Sequence, residues 1–180
     1  MEVDDTEESF IAAIRLPLTR AARIDIVDRY LLPTNMAYGR LLERILKEIV
    51  HNPRNPRIRI HSSLEALTDK SEDKYDREIW KMHFSHLHGL LLKQGRAGQV
   101  LIWRPKDLPD KFHDRYLLTE LGSCSVGRGF QIQHGCTNRL YLLDQSLHEI
   151  LQYFYKADEN AKKQPCIHPF RIGSEAFLSR

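Results

Sequence analysis

Short apolar runs of strand length alternate along this chain with longer segments whose apolar residues recur at helical spacing. Residues 24–31, 57–61 and 99–103 are rich in β-branched or apolar side chains, which predicts three strands. Residues 35–50, with an asparagine N-cap at their first position, and residues 72–94 predict the intervening helices. This alternation is typical of an α/β domain.

The second half of the chain predicts a hairpin, one more strand and one more helix. Residues 113–119 are strand-like, and the glycines that follow them mark turns about a short return strand. Residues 139–143 predict a further strand, and either Asp144 or Ser146 caps a helix that continues to about residue 155.

No repeat, low-complexity block or linker divides the chain. Its first ordered element, residues 10–16, is compatible with either a helix or a strand. We therefore predict a single α/β domain, a mixed β-sheet flanked by helices, over residues 10–156. Residues 1–9 are expected to form a flexible acidic lead-in, and residues 157–180 a C-terminal tail that packs on the domain or extends from it.

Length and composition point to a cytoplasmic protein with its own core. The 180 residues are 42% hydrophobic, and no apolar run approaches the roughly 18 residues of a membrane span. The first eight residues are acidic, whereas a signal peptide begins with basic residues. The three cysteines, Cys124, Cys136 and Cys166, lack Cys-x-x-Cys spacing, so we expect reduced thiols and no zinc site.

The net charge of +3 is too small to make the whole surface basic. The first eight residues carry five acids and no base, so the remainder holds 27 basic and 19 acidic side chains. That local surplus is compatible with a phosphate-bearing partner.

The segment most suggestive of chemistry is His113-Asp114-Arg115-Tyr116, followed at a short distance by Glu120. On a strand, His113 and Arg115 project from the same face. Imidazole titrates near neutral pH and can attack or transfer a proton, while a guanidinium holds two phosphate oxygens at once. Together they predict a phosphate-ester site.

The spacing His113-x-Arg115-x-x-x-x-Glu120 resembles the His-x-Lys-x-x-x-x-Asp signature of the phospholipase D superfamily. Arginine replaces lysine, glutamate replaces aspartate, and Gly127-Arg128-Gly129-Phe130 stands where the family has Gly-Ser-x-Asn. The stretch is more similar still to the phospholipase-D-like C-terminal domain of MIT-domain proteins and its stand-alone bacterial-type relatives. That domain has a His-Asp-Arg strand, a Gly-Arg-Gly turn and later acidic and His-Glu elements, here Asp144 and His148-Glu149. The resemblance covers roughly residues 98–150 and implies a phospholipase D-like fold.

The superfamily resemblance implies a mechanism without metal or other cofactor. His113 would attack phosphorus, Arg115 would hold the non-bridging oxygens, and Glu120 would orient the histidine or its partner. Active members bring two such motifs together, so this chain would need a homodimer that pairs two copies of His113. The resemblance therefore implies a phosphodiesterase, and it favours a nuclease over a lipase.

The alternative is a binding module without turnover. The MIT-associated domain is regarded as a non-catalytic membrane- or phosphoinositide-binding derivative, and arginine in place of lysine suits tight phosphate holding. Such a module would recognise nucleic acid, nucleotide or phospholipid headgroups, within a larger defence or signalling assembly. In the plain structural interpretation, His113, Asp114 and Arg115 only close the sheet.

Three further residues are predicted to help bind phosphate. Asp28 ends the first predicted strand, where α/β sheets place ligand sites, but it also suits a turn cap. Arg104 follows the strand at 99–103 and could add a second guanidinium, and Arg128 lies between two glycines whose amides could cradle phosphate.

Other polar and aromatic groups have simpler interpretations. Arg54, Arg57 and Arg59 form a basic patch that could follow a nucleic-acid backbone, although scattered surface arginines usually do nothing specific. The histidines at 83, 86 and 88 lack the cysteine or carboxylate neighbours of a metal shell. The tryptophans at 80 and 103 are predicted to lie in the core.

Overall fold

The computed structural model describes the backbone of residues 2–3, and residues 6–67, 75–105, 115–130, 138–155 and 167–174. Four helices lie in these ranges: α1 (Glu7–Arg20), α2 (Met36–Val50), α3 (Arg77–Lys93) and α4 (Gln145–Phe154). The strands are β1 (Glu2–Val3), β2 (Arg23–Val27), β3 (Arg57–Ser63), β4 (Gly98–Trp103), β5 (Tyr116–Thr119), β6 (Gly122–Val126), β7 (Asn138–Leu142) and β8 (Ile167–Ile172).

The strands form one mixed sheet in the order β1-β7-β6-β5-β2-β3-β4-β8. Strands β2, β3 and β4 are parallel, while β5 and β8 run antiparallel on either side of them. Strands β5, β6 and β7 form an antiparallel meander, and the two residues of β1 pair with β7. The predicted α/β class and mixed sheet are confirmed.

The helices begin where short polar side chains can cap them. The Asn35 side chain accepts a hydrogen bond from the Ala37 amide at 3.0 Å, and Asp144 accepts one from Leu147 at 2.9 Å. The N-cap predicted at Asn35 is confirmed, and Asp144 rather than Ser146 caps α4. Residues 10–16, left open between helix and strand, belong to α1.

The sheet has two different faces. The helical face packs against α1, α2 and α3 and includes the buried side chains Ile24, Ile60, Val100 and Leu117. The opposite face, here called the α4 face, packs Leu101, Trp103 and Leu118 against Leu151 and Tyr155 at the end of α4. Both tryptophans, at 80 and 103, are buried as predicted.

Two terminal predictions differ from the structure. The first helical turn of α1 lies within residues 1–9, because Thr6 accepts a hydrogen bond from the Ser9 amide at 3.1 Å and caps the helix. The range predicted as a tail, residues 157–180, contains β8, which adds an edge strand beside β4. Among the described residues, no helix has both the length and the apolar character required to cross a membrane.

Candidate functional site

Polar side chains gather where β2 ends and β5 begins, at the carboxyl edge of the parallel strands. Asp28 follows β2 directly, and Arg115 directly precedes β5. Since Val27 and Tyr116 are register partners, these two residues lie side by side. The turn between β6 and β7 reaches the same edge, because the Val126 amide donates to the Arg115 carbonyl at 2.7 Å. Edges of this kind are where α/β sheets bind ligands.

Arg115 is held from three sides. Its Nε lies 3.6 Å from Oδ1 of Asp28, its Nη1 donates to the Gly127 carbonyl at 3.3 Å, and its guanidinium carbon lies 5.6 Å from the centre of the Tyr30 ring. The Nε atom is buried and has no hydrogen-bond partner. About a fifth of the side chain remains exposed (20%), so the guanidinium is oriented and still partly open to solvent.

Asp28 anchors this edge. Its carboxylate accepts hydrogen bonds from the amides of Tyr30 at 2.9 Å and Phe130 at 3.1 Å, which ties β2 to the chain segment that follows β6. Burial raises the pKa of the Asp28 carboxyl above its ordinary value, and the amides and Arg115 only partly oppose that effect. Asp28 therefore positions Arg115 more than it faces a ligand.

Gly129 allows the close approach of these groups. Its φ of +79° lies in the left-handed region, and a Cβ here would collide with Oδ2 of Asp28 and come within 2.8 Å of Cδ and Nε of Arg115. A side chain at this position would push the turn away from the carboxyl edge.

Two tyrosines surround the guanidinium. Tyr30 is 40% exposed and contacts two arginines, since Arg29 also lies over its ring, at 5.2 Å from the centroid. Tyr38, buried on α2, faces Asp28 and Arg115, and its burial raises the pKa of its hydroxyl to about 12. Its phenol therefore stays protonated and can donate a hydrogen bond at neutral pH.

The structure brings some of the predicted site residues together and separates others. Asp28, Arg115 and the turn that carries Arg128 share the carboxyl edge, whereas Glu120 follows the far end of β5. Five residues at about 3.3 Å each place Glu120 roughly 16 Å from Arg115 along the strand. There the Glu120 carboxylate accepts hydrogen bonds from the amides of Ala22 at 2.5 Å and Arg23 at 3.0 Å. Burial acts to raise the pKa of Glu120, but the hydrogen bonds from these amides outweigh it and lower the pKa below its ordinary value.

Arg104 does not join this group, and His113 lies outside the described residues. Arg104 is exposed and follows β4, three strand positions from β5, or roughly 14 Å at ordinary strand spacing. Arg128 is exposed too, and its amide donates to Oδ1 of Asn138 at 3.1 Å. His113 and Asp114 lie outside the described residues, so the predicted pairing of His113 with Arg115, and with a second His113 in a homodimer, stays a prediction.

Sequence reasoning missed a buried polar cluster on the α4 face. Asp25 binds Arg59 through two hydrogen bonds, one of them from Nη2 at 2.9 Å, and lies 3.2 Å from Nε2 of His61. Trp103 Nε1 donates to Nδ1 of His61 at 3.2 Å. Because the indole can only donate, Nδ1 is the acceptor and Nε2 carries the proton towards Asp25. All four side chains are buried, so they hold β2, β3 and β4 together rather than face a ligand.

Burial and hydrogen bonding oppose each other in this cluster. Burial is the largest influence on Asp25 and acts to raise its pKa, but the hydrogen bonds and charges of His61 and Arg59 together lower it. Burial lowers the pKa of His61 despite the neighbouring carboxylate. Asp25 is therefore ionised and His61 neutral near pH 7. The only signal in the sequence was an acid, Asp25, inside an apolar run, together with polar residues two apart on the next predicted strand.

A separate apolar cavity of about 560 Å³ opens between α1 and strands β5, β6 and β7. Its wall includes Ile14, Pro17, Leu117, Cys124 and Leu140. Burial raises the pKa of the Cys124 thiol to about 11, so the thiol stays protonated and unreactive near neutral pH. The C-terminal half of α1 and the residues of β5 that follow Arg115 in the chain line this cavity. It shares no residue with the carboxyl-edge site.

No protein-family model matches the chain, and no curated protein matches its sequence significantly. The fold itself defines an α/β protein whose mixed sheet is covered on one face by three helices and on the other by α4.

Proposed function

We propose that this chain binds a phosphate ester at the carboxyl edge, through the guanidinium of Arg115. The observation that carries the proposal is the state of Arg115: it is fixed by Asp28, Tyr30 and Gly127, and its side chain is still 20% exposed. An oriented and partly exposed guanidinium suits the oxygens of a phosphate, which accept two parallel N–H bonds.

The charge around Arg115 supports an anion as the ligand. Asp28, the carboxylate of the described residues that contacts Arg115, is fully buried, and burial raises its pKa, which disfavours its charged form. Arg128 lies in the turn that reaches the same edge, and Arg29, whose guanidinium is ion-paired with Glu65, also lies over the Tyr30 ring. Arg115 and Arg128 therefore place positive charge at this edge.

Binding without turnover is the version of this function that we favour. In the phospholipase D resemblance Glu120 orients the histidine, but here its carboxylate bonds the amides of Ala22 and Arg23 at the far end of β5. Since the predicted acidic partner of His113 is committed to the backbone elsewhere, the phospholipase D-like phosphodiesterase or nuclease becomes the second candidate. A cytoplasmic homodimer belongs to that second candidate.

The test uses bis(p-nitrophenyl) phosphate in EDTA, with calorimetry for binding and absorbance for nitrophenolate release. We expect saturable binding and no release by the wild-type protein. Losing a hydrogen bond to a charged group costs roughly 1.5–3 kcal/mol, so Arg115→Gln should weaken binding roughly 10- to 150-fold. Arg115→Lys keeps the positive charge but loses the paired donors of the planar guanidinium, so this variant should bind with intermediate affinity.

The matched control is Arg40→Gln, which removes an exposed arginine from α2 and should bind like the wild type. His113→Ala should also bind like the wild type. Wild-type affinity in Arg115→Gln, with an unchanged melting temperature, would refute the proposal. Release of nitrophenolate by the wild type but not by His113→Ala would establish the enzyme instead.

A further inference from the structure

A row of basic residues crosses the α4 face at the opposite end of the parallel strands. Arg23 is the register partner of Arg57, residues 58 and 59 of β3 pair with Gly98 and Gln99 of β4, and Gln99 is the partner of Arg171 on β8. Side chains of register partners project from the same face of a sheet. Arg23 and Arg57 are therefore neighbours, and Gln99 and Arg171 are neighbours beside Arg59, two residues further along β3. Because residues two apart on a strand share a face, these four side chains follow a diagonal across four adjacent strands, and we call them the arginine row.

Side-chain contacts show that the arginine row lies on the α4 face. Arg23 Nε lies 3.3 Å from Oδ2 of Asp25, two residues along β2, and Arg59, two residues from Arg57, also binds Asp25. Residues two apart on a strand share a face. The arginine row thus borders the buried Asp25 cluster and lies on the face opposite α1, α2 and α3.

Most of the positive charge of the row is not paired with a carboxylate of the described residues. Arg57 and Arg171 are exposed, and neither has an ion pair or side-chain hydrogen bond to any described residue. Arg23 is 26% exposed, and its Nε is buried without a hydrogen bond. Asp25, which contacts Arg23, is also bound twice by Arg59, and the Glu120 carboxylate lies at the same end, bonded to the Arg23 amide. The row therefore presents two exposed guanidinium groups, those of Arg57 and Arg171, that no carboxylate of the described residues pairs with.

We propose that the arginine row binds the phosphodiester backbone of a nucleic acid. Three strand intervals of about 4.8 Å, with an offset of roughly 6.6 Å along the strands, give the row a length of roughly 16 Å, enough for phosphates of one strand to meet the three guanidinium groups. The chain's exposed apolar side chains, such as Leu142, Ile150 and Tyr153, are not part of the row. A membrane-binding surface would combine apolar anchors with its basic groups, so the row suits a soluble polyanion better.

This inference does not depend on the proposed phosphate-ester site. Arg115 precedes β5 at the carboxyl edge of the parallel strands, whereas the arginine row crosses their amino ends on the α4 face. Either surface can fail its test while the other passes. The sources of the phosphodiester, single-stranded and duplex nucleic acid, are separated by the arms of the experiment.

The experiment measures fluorescence anisotropy of labelled single-stranded and duplex oligonucleotides against the full chain over a range of salt concentrations. Three phosphate contacts predict a slope of log K against log salt of about −2 for a single strand and about −2.7 for a duplex. The double variant Arg57→Gln/Arg171→Gln should lower affinity at least tenfold at low salt and leave a slope of about −0.7 to −0.9.

The matched control, Arg40→Gln/Lys93→Gln, removes two exposed positive charges from α2 and α3, across the sheet from the row. It should keep the wild-type affinity and slope. Equal affinity losses in the row variant and the control would overturn the proposal, as would wild-type binding by the row variant. Row-dependent binding to anionic vesicles, with none to oligonucleotides, would assign the surface to a membrane and likewise overturn it.

Discussion

Gly129 is the residue on which the carboxyl-edge site depends most directly. The site requires the turn after β6 to lie against Asp28 and Arg115, and only a residue without a Cβ leaves the necessary space. The same turn supplies the Gly127 carbonyl that fixes Arg115 and the Phe130 amide that bonds Asp28. A single backbone conformation therefore determines the orientation of the guanidinium.

We predict that Gly129→Ala destabilises the protein by roughly 2–4 kcal/mol, because it combines a left-handed φ with a collision against Asp28. Urea unfolding followed by circular dichroism measures the change. Gly89→Ala is the matched control: it lies within α3, a Cβ there meets nothing within 4 Å, and the substitution should stabilise by up to about 1 kcal/mol. Equal stability of Gly129→Ala and wild type would contradict the described turn.

Part of this site is predictable from the sequence. Asp28 at the end of a strand, Arg115 near the start of another and a Gly-Arg-Gly turn all follow from local patterns, and they meet as expected. Tyr38 is not predictable, because it reaches Asp28 and Arg115 from a helix packed above the sheet. The separation of Glu120 from Arg115 follows from strand geometry, which a motif match by spacing does not consider.

At the scale of elements, local signals located α2, α3 and α4 but left residues 10–16 of α1 open between helix and strand. Strand pairing decided what these signals could not. Polar caps and apolar periodicity marked α2 and α4. Strand β8 was missed because Ile167–Ile172 contains a proline and a basic residue, and Pro is tolerated at a sheet edge but reads as a break in sequence. The alternation in β3 was read correctly as a strand, but its polar side is buried against Asp25 instead of facing water.

We predict that Phe170→Ala lowers the free energy of unfolding by about 3–5 kcal/mol, because Phe170 is buried and packs edge-on against Phe84 at 5.9 Å. Chemical denaturation gives the value. Arg171→Gln, on the exposed side of the same strand, should change stability by less than about 0.5 kcal/mol. If both substitutions were neutral, residues 167–172 would belong to the predicted C-terminal tail, not to a strand of the sheet.

At the scale of the whole molecule, a neutral histidine beneath the α4 face links stability to pH. The folded pKa of His61 is lowered by burial below its ordinary value of 6.5, so the unfolded chain binds a proton at a pH where the folded protein does not. The stability that depends on neutral His61 is therefore present above about pH 6.5 and is lost as the pH falls. The lowered pKa of Asp25 adds a further loss in more acidic solution, below its ordinary value of 3.8.

We predict that the free energy of unfolding falls between about pH 7.5 and about pH 5.5, and that His61→Gln reduces this slope. Glutamine can keep a donor towards Asp25 but does not titrate. Urea titrations at a series of pH values measure the slope, and His86→Gln, an exposed histidine on α3, serves as the control with a wild-type slope. A His61→Gln profile as steep as that of the wild type would place the titrating group elsewhere.

The edge position of β8 has a consequence for biosynthesis. Strand β4 is paired with β3 on one side, but its other side waits for Ile167–Ile172, which leave the ribosome long after β4 itself. When α4 has been synthesised but β8 has not, one side of the parallel strand β4 still presents a row of unpaired amide and carbonyl groups. Such an open edge is a template for unwanted pairing with another chain. Translation must therefore proceed through β8 before this fold can protect itself from aggregation.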